Sequence, residues 1–224
     1  MKYKIYSVII IVLIYLSFFS LEKQNEFTFI ENNLPFVICI DPGHGGKDGG
    51  ASVYNYFEKD INLEISLLLK NELNDLGYLV EMTRDKDYHL PIDKEYSKIG
   101  DLNERIKFIK SSKSIILLSI HANKFSSSSV SGCQVFYSSV CKSSLVLAGI
   151  IQKNVNCELD NDRFAKTINN NYLLRNLDIP SVIIECGFMS NERDLNNLIN
   201  KDYQAKLAKI FAKSVNEYLL NYSA

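Results

Sequence analysis

The chain has 224 residues, with 25 basic and 26 acidic side chains and a formal net charge of −1; 23% of residues are charged and 46% hydrophobic. Those proportions belong to an ordinary globular domain and exclude collagen-like, disordered and polytopic membrane classes. The near-neutral balance argues against nucleic acid as a partner, since nucleic-acid binders carry a basic excess, and the length suits one domain with an appendage.

The appendage comes first. Lys2 and Lys4 precede an apolar run, Ile5 to Phe19, interrupted only by Ser7 and Ser17. A cleaved secretory signal and an uncleaved membrane anchor compete for this segment. Signal cleavage needs small residues one and three positions before the cut. Cutting after Ser20 puts Phe18 at the third position, and cutting after Ser17 puts Tyr15 there. The missing small residues favour the anchor. With Leu21 the run approaches the lower length limit of a span, and the lysines keep its front end in the cytoplasm. Residues 1–21 are therefore expected to be a membrane anchor or signal segment, 22–35 a polar tether, and 36–224 the folded, exported domain.

Within that domain, short apolar runs bounded by turn residues predict buried strands at Phe36–Ile40, Tyr78–Met82, Ile115–Ile120 and Val182–Ile184. Gln134–Tyr137 is a weaker candidate, and Tyr172–Leu174 another. Between them lie helical patterns. Ile61, Ile65, Leu68, Leu69 and Leu73 share a helical face, which Gly77 closes as a C-terminal cap. Leu102, Ile106 and Ile109 form a second stripe, Leu145 to Val155 a third, and Leu207, Ile210, Phe211, Val215 and Tyr218 the last. Strands alternating with helices predict a single α/β domain: a mostly parallel twisted sheet of about six strands with helices on both faces. Ser126 to Ser129 is a short low-complexity loop. Of the five cysteines, Cys39 and Cys186 sit inside apolar runs and are expected as small core residues. Cys133 and Cys141 are close enough in sequence for a bridge, which sequence does not decide.

Open α/β sheets bind ligands beyond the carboxyl ends of their strands. The residues there are Asp41-Pro42-Gly43-His44-Gly45-Gly46, Ser119-Ile120-His121-Ala122-Asn123 and Glu185-Cys186-Gly187, and Glu58 opens the first long helix. Two of the three histidines of the chain fall in this set, and His89 sits in a polar loop. His44, Glu58 and His121 outline a metal site: two imidazoles and a carboxylate suit zinc and leave a coordination position open. Glu185, near the metal but off it, has the place of a general base that takes a proton from water and returns it to a leaving amine. Taken singly, each residue has a plainer role as a loop histidine, a helix-start carboxylate or a strand-end carboxylate. Gly45-Gly46-Lys47 fails as a phosphate loop, and the glycine pattern from Gly43 fails as a dinucleotide fingerprint, because Asp41 and Asp48 stand where those motifs need other residues.

The chain resembles the zinc-dependent N-acetylmuramoyl-L-alanine amidases of the amidase-3 type. The resemblance is carried, in order, by Ile40-Asp41-Pro42-Gly43-His44-Gly45-Gly46-Lys47-Asp48-Gly49-Gly50-Ala51, Glu58-Lys59-Asp60-Ile61-Asn62-Leu63, Thr83-Arg84-Asp85 and Asp101-Leu102-Asn103-Glu104-Arg105. Ser119 to Asn123 and Glu185 to Asn191 complete it. It implies a six-stranded sheet, zinc held by His44, Glu58 and His121, and Glu185 as the catalytic carboxylate. It also implies hydrolysis of the amide between N-acetylmuramic acid and the L-alanine of the stem peptide in peptidoglycan. Some members carry an inhibitory helix after the second histidine, but here only Lys124 to Ser131 separates Asn123 from Gly132. A short catalytic domain behind a hydrophobic segment looks like the spore-cortex amidases, which prepare muramic-δ-lactam formation. A vegetative cell-separation autolysin and a non-catalytic peptidoglycan-binding domain are the alternatives. The expected place is outside the cytoplasm, membrane-anchored or secreted, and between mother-cell and forespore membranes if sporulation-specific. An activator protein stays open as a partner. Asn123 has two equal readings, a substrate contact or a support for the His121 loop.

Overall fold

A computed structural model describes residues 36–222 of the chain. The expected anchor and tether, residues 1–35, lie outside the described residues. Among the described residues no helix is long and apolar enough to cross a membrane.

The strands are β1 (Val37–Pro42), β2 (Ser52–Val53), β3 (Tyr56–Phe57), β4 (Leu79–Met82), β5 (Ile116–Asn123), β6 (Gln134–Tyr137), β7 (Lys166–Thr167) and β8 (Ser181–Phe188). The helices are α1 (Glu58–Asp75), α2 (Lys98–Ser111), α3 (Ser143–Glu158), α4 (Glu192–Leu198) and α5 (Lys201–Tyr222). Six strands form one sheet in the order β4-β1-β5-β8-β6-β7, and β2 and β3 form a separate hairpin. The β4, β1, β5 and β8 strands run parallel; β6 is antiparallel to β8, and β7 follows β6. The fold is thus the single, mostly parallel α/β domain expected.

Strand alternation divides the core. Ile38 and Ile40 of β1, Ile116, Leu118 and Ile120 of β5, and Val182 and Ile184 of β8 face the larger cluster, covered by α1, α3, α4 and α5. Cys39, Leu117 and Ile183 face the smaller one, covered by α2 and by Leu173, Leu174 and Leu177. Farther along on that second face, the alternation places Asp41 and Ser119, then His121 and Glu185, so apolar packing gives way to polar groups toward the carboxyl ends. The α1 helix ends as its pattern predicts: Gly77 N–H bonds to Asn74 O at 2.9 Å and Tyr78 N–H to Leu73 O at 3.2 Å, which satisfies the last carbonyls of the helix.

One expected strand is not a strand. Tyr172–Leu174 lies in a turn that runs into a single 3₁₀ turn at Leu174–Asn176. The Asn171 side chain accepts from Leu174 N–H at 2.9 Å and its carbonyl from Arg175 N–H at 3.2 Å, so local bonds replace a ladder. The buried leucines there plug the smaller core. The sixth strand is instead Lys166–Thr167, too short and exposed to leave a periodic signal. Two further elements had no apolar periodicity to mark them, the β2–β3 hairpin and α4, whose start is capped by Asn191 accepting from Asp194 N–H. Cys39, Cys133 and Cys186 are buried, and all five thiols are free, so no bridge joins Cys133 and Cys141.

Candidate active site

Three neighbouring strands, β1, β5 and β8, deliver His44, His121 and Glu185 to one rim of the sheet. The loop after β1 is held from behind by two buried arginines. Arg84 donates to the carbonyls of Pro42, Gly43 and Lys59 at 2.7–3.0 Å. Arg105 donates to Asp41 Oδ1 and Asp101 Oδ2, both at 2.6 Å, to Pro42 O at 2.9 Å and to His44 O at 2.7 Å. Asp41 also accepts from Thr83 and Ser119. Burial works against its charge, but Arg105 and the two hydroxyls win and hold its carboxyl down at about 2. These contacts fix His44 in the left-handed region, at φ 63°, a conformation that costs a non-glycine residue energy and persists only when its surroundings enforce it.

Glu58 reaches the same point from the first turn of α1. Ala51 N–H donates to Glu58 Oε2 at 2.8 Å, while Glu58 N–H donates to Ala51 O at 2.8 Å, so the end of the glycine loop and the helix start brace each other. Gly50, at φ 65°, packs so closely that a Cβ there would lie 2.6 Å from Glu58 Oε2 and 2.7 Å from the His44 ring. A Cβ on Gly43 would lie 2.2 Å from the His121 ring. Both positions exclude any side chain.

The result is a compact donor cluster. His44 Nε2 lies 3.2 Å and His121 Nδ1 3.0 Å from Glu58 Oε1, and the two rings meet edge to face with centroids 5.1 Å apart. One ligand atom from each of the three residues falls within 4.8 Å of the others. His44 Nδ1 faces Asp48 Oδ2 at 2.9 Å. A carboxylate only accepts, so Nδ1 donates to Asp48; Nε2, which faces Glu58 Oε1, is the atom at which a cation would replace a proton, with Asp48 orienting the ring. Burial opposes a charge on His44, but hydrogen bonds and charge from Glu58 and Asp48 outweigh it and raise its pKa to about 9. Burial likewise opposes charge on Glu58, yet the two histidines hold it well below the usual carboxylate range. The donor types, two imidazoles and a carboxylate, suit a divalent transition metal.

Glu185 stands directly across the β5–β8 ladder from His121. Its Oε2 is buried and has no hydrogen-bond partner among the described residues. Burial, with some help from Glu58 and against the pull of the histidines, pushes its pKa up to about 7. An unpartnered buried carboxylate oxygen is costly and marks a functional group more often than a structural one. Asn123 lies just past a register shift in the same ladder, and its carbonyl accepts from Met189 N–H at 2.7 Å. It thereby ties the end of β5 to the end of β8. A cavity of about 400 Å³ opens beside His44 and His121, bordered by Lys98, Leu102, Asn171 and Tyr172, large enough for part of a peptide or sugar. His89 is outside the donor cluster, its Nε2 3.1 Å from Lys94 O. The roles of Asp48 and Arg105 were missed by residue chemistry alone; the spacing of Asp48 four residues after His44 was the available signal.

The fold and this rim define an α/β domain with a three-donor cluster that could hold a metal and a separate buried carboxylate. Residues 38–217 match the family model described as N-acetylmuramoyl-L-alanine amidase, Amidase_3, and the chain belongs to that family. It is 36% identical over 214 residues to the germination-specific N-acetylmuramoyl-L-alanine amidase of Bacillus subtilis (strain 168), an alignment covering 92% of this chain and 90% of that protein. Its structure is similar to that of the CwlD amidase from Clostridioides difficile, solved in complex with the GerS lipoprotein. That match has a TM-score of 0.76 and 36% identity, covering 83% of this chain and 98% of the other. It is similar also to amidase AmiC2 of Nostoc punctiforme, with a TM-score of 0.72 and 28% identity, covering 83% and 98%. The chain is accordingly a cell-wall amidase acting on the bond between N-acetylmuramic acid and L-alanine.

Proposed function

We propose that the chain is a zinc-dependent amidase of the spore cortex, in which His44, Glu58 and His121 would hold the metal and Glu185 moves the proton. Zinc held there would supply Lewis-acid chemistry for the scissile carbonyl and the attacking water. Glu185, buried and unpartnered at Oε2, takes the proton of the attacking water and returns it to the departing L-alanine nitrogen. Asp48 keeps the proton on His44 Nδ1. The backbone bond from Met189 N–H to Asn123 O holds the two strand ends in register. The cavity beside His44 receives the stem peptide or the muramoyl group. The observation that carries this reading is the Glu185 oxygen, buried without a partner among the described residues and on the residue paired across the ladder with His121 of the donor cluster.

The spore-cortex assignment is supported by the germination-specific relative, and preparation of muramic-δ-lactam follows as its purpose. Action outside the cytoplasm fits a wall substrate, with residues 1–21 as anchor or signal segment. The complex of the Clostridioides difficile relative with a lipoprotein favours an activator partner for this chain as well. The test is to incubate the full chain and zinc with purified peptidoglycan and analyse the products by mass spectrometry. Released peptides beginning with L-alanine, abolished by chelation, are expected. Zinc-loaded chain that releases no peptide from cortex peptidoglycan, even with an extract of sporulating cells, would overturn the reading.

A further inference from the structure

The segment between β4 and α2 lies against the glycine loop at three points. Asp87 accepts from Gly46 N–H and from Lys59 Nζ, both at 2.7 Å. The His89 ring packs on Gly46, where a Cβ would lie 2.7 Å from its Nδ1. Tyr96 donates its hydroxyl to Asp48 Oδ2 at 3.2 Å. That oxygen is the one facing His44 Nδ1, while Asp48 Oδ1 accepts from Gly50 N–H at 3.1 Å. The Tyr96 ring is itself set by an edge-to-face contact with His89, centroids 5.4 Å apart.

We propose that Tyr96 is a positioning residue for the metal ligand His44, acting through Asp48. The inference rests on the metal reading given above. A carboxylate on a loop can rotate about its last torsion, and either oxygen can then serve the imidazole. Here Gly50 N–H occupies one oxygen and Tyr96 pins the other, so the plane of the carboxylate is fixed and with it the direction of the His44 ring. Tyr96 reaches His44 through the Asp48 carboxylate. Its phenol contributes only the orientation and acceptor strength of Asp48, the kind of outer contact whose loss weakens metal binding. Asp87 and His89 hold the segment in place without reaching His44, which separates what Tyr96 does from mere docking of the segment.

The test reads zinc affinity of the full-length chain in detergent by competition with a chromophoric chelator, with urea unfolding of the metal-free chain alongside. Tyr96→Phe is expected to raise the zinc Kd about tenfold, and Asp48→Asn by about 10–100-fold, with the metal-free urea midpoint of Tyr96→Phe near that of the wild type. The double variant is expected to bind zinc within about twofold of Asp48→Asn alone, because the tyrosine works only through the carboxylate. An unchanged Kd in Tyr96→Phe, or losses that simply multiply in the double variant, would overturn the role of Tyr96 while leaving the metal site standing. A wild-type chain that binds no zinc would overturn the metal reading and Tyr96 with it.

Discussion

The donor cluster and Glu185 stand one ladder pair apart and are built in opposite ways. Around His44 and Glu58 the ligand side chains themselves are partnered: Asp48, pinned by Tyr96, on the imidazole, Ala51 and Asn62 on the carboxylate, and Arg84 and Arg105 behind the backbone. Glu185 has an oxygen sealed from solvent with no partner at all among the described residues. Saturation holds ligand atoms where a cation needs them and discourages wandering. An unsatisfied carboxylate keeps its free energy high until a proton or a substrate group arrives. On the proposed reading, the contrast separates a part whose task is to stay still from a part whose task is to exchange protons.

The contrast can be broken first on its saturated side. His121→Ala should lose both stoichiometric zinc and amidase activity, as read by metal analysis of the purified chain; retained stoichiometric zinc would remove His121 from the ligand set. On the other side, Glu185→Gln should keep its zinc and lose activity by about 10²–10⁴-fold, the worth of a general base. Normal turnover in that variant would end the assigned role. Arg105→Met should cost about 3–5 kcal/mol of stability, since it leaves Asp41 and Asp101 buried without their counter-charge. A denaturation curve matching the wild type would show that the arginine network is not what steadies the loop.

The smallest effect sharpens the comparison through pH. In the metal-free chain Glu185 titrates near 7, against 4.5 for the free side chain. Between those values the native carboxyl stays protonated while the unfolded one has ionised, so rising pH favours unfolding. Subtracting the Glu185→Gln curve isolates this group: wild-type stability relative to the variant should fall by up to about 3 kcal/mol from pH 4.5 to above 7 and then level off. A flat difference would mean that Glu185 is hydrated or paired in solution.

Much of this was legible in the sequence because it depended on local repetition. Five of the sheet strands announce themselves as apolar runs, and the four long helices as stripes. The site residues stood out because histidines are scarce here and two of them follow predicted strands. Other features resisted for physical reasons. Lys166–Thr167 joins the sheet by register with β6 rather than by any pattern of its own. Tyr172–Leu174 is apolar because it fills a core from a turn, which composition cannot tell from a strand. Arg105 and Tyr96 act on the histidine loop across 61 and 48 residues of sequence, and such long-range polar contacts leave no periodicity.

The parallel pairing of β1, β5 and β8 has a consequence for how the chain comes to life. Strands of this kind close long loops before they gain contacts, which makes folding slow and leaves local fragments without reward. His121 and Glu58 meet across 63 residues, and β8 brings Glu185 only after most of the polypeptide is in place. No partially folded fragment holds the complete set of groups. On the proposed reading, catalytic competence therefore arrives late and all at once, and an incompletely folded chain carries no working hydrolase.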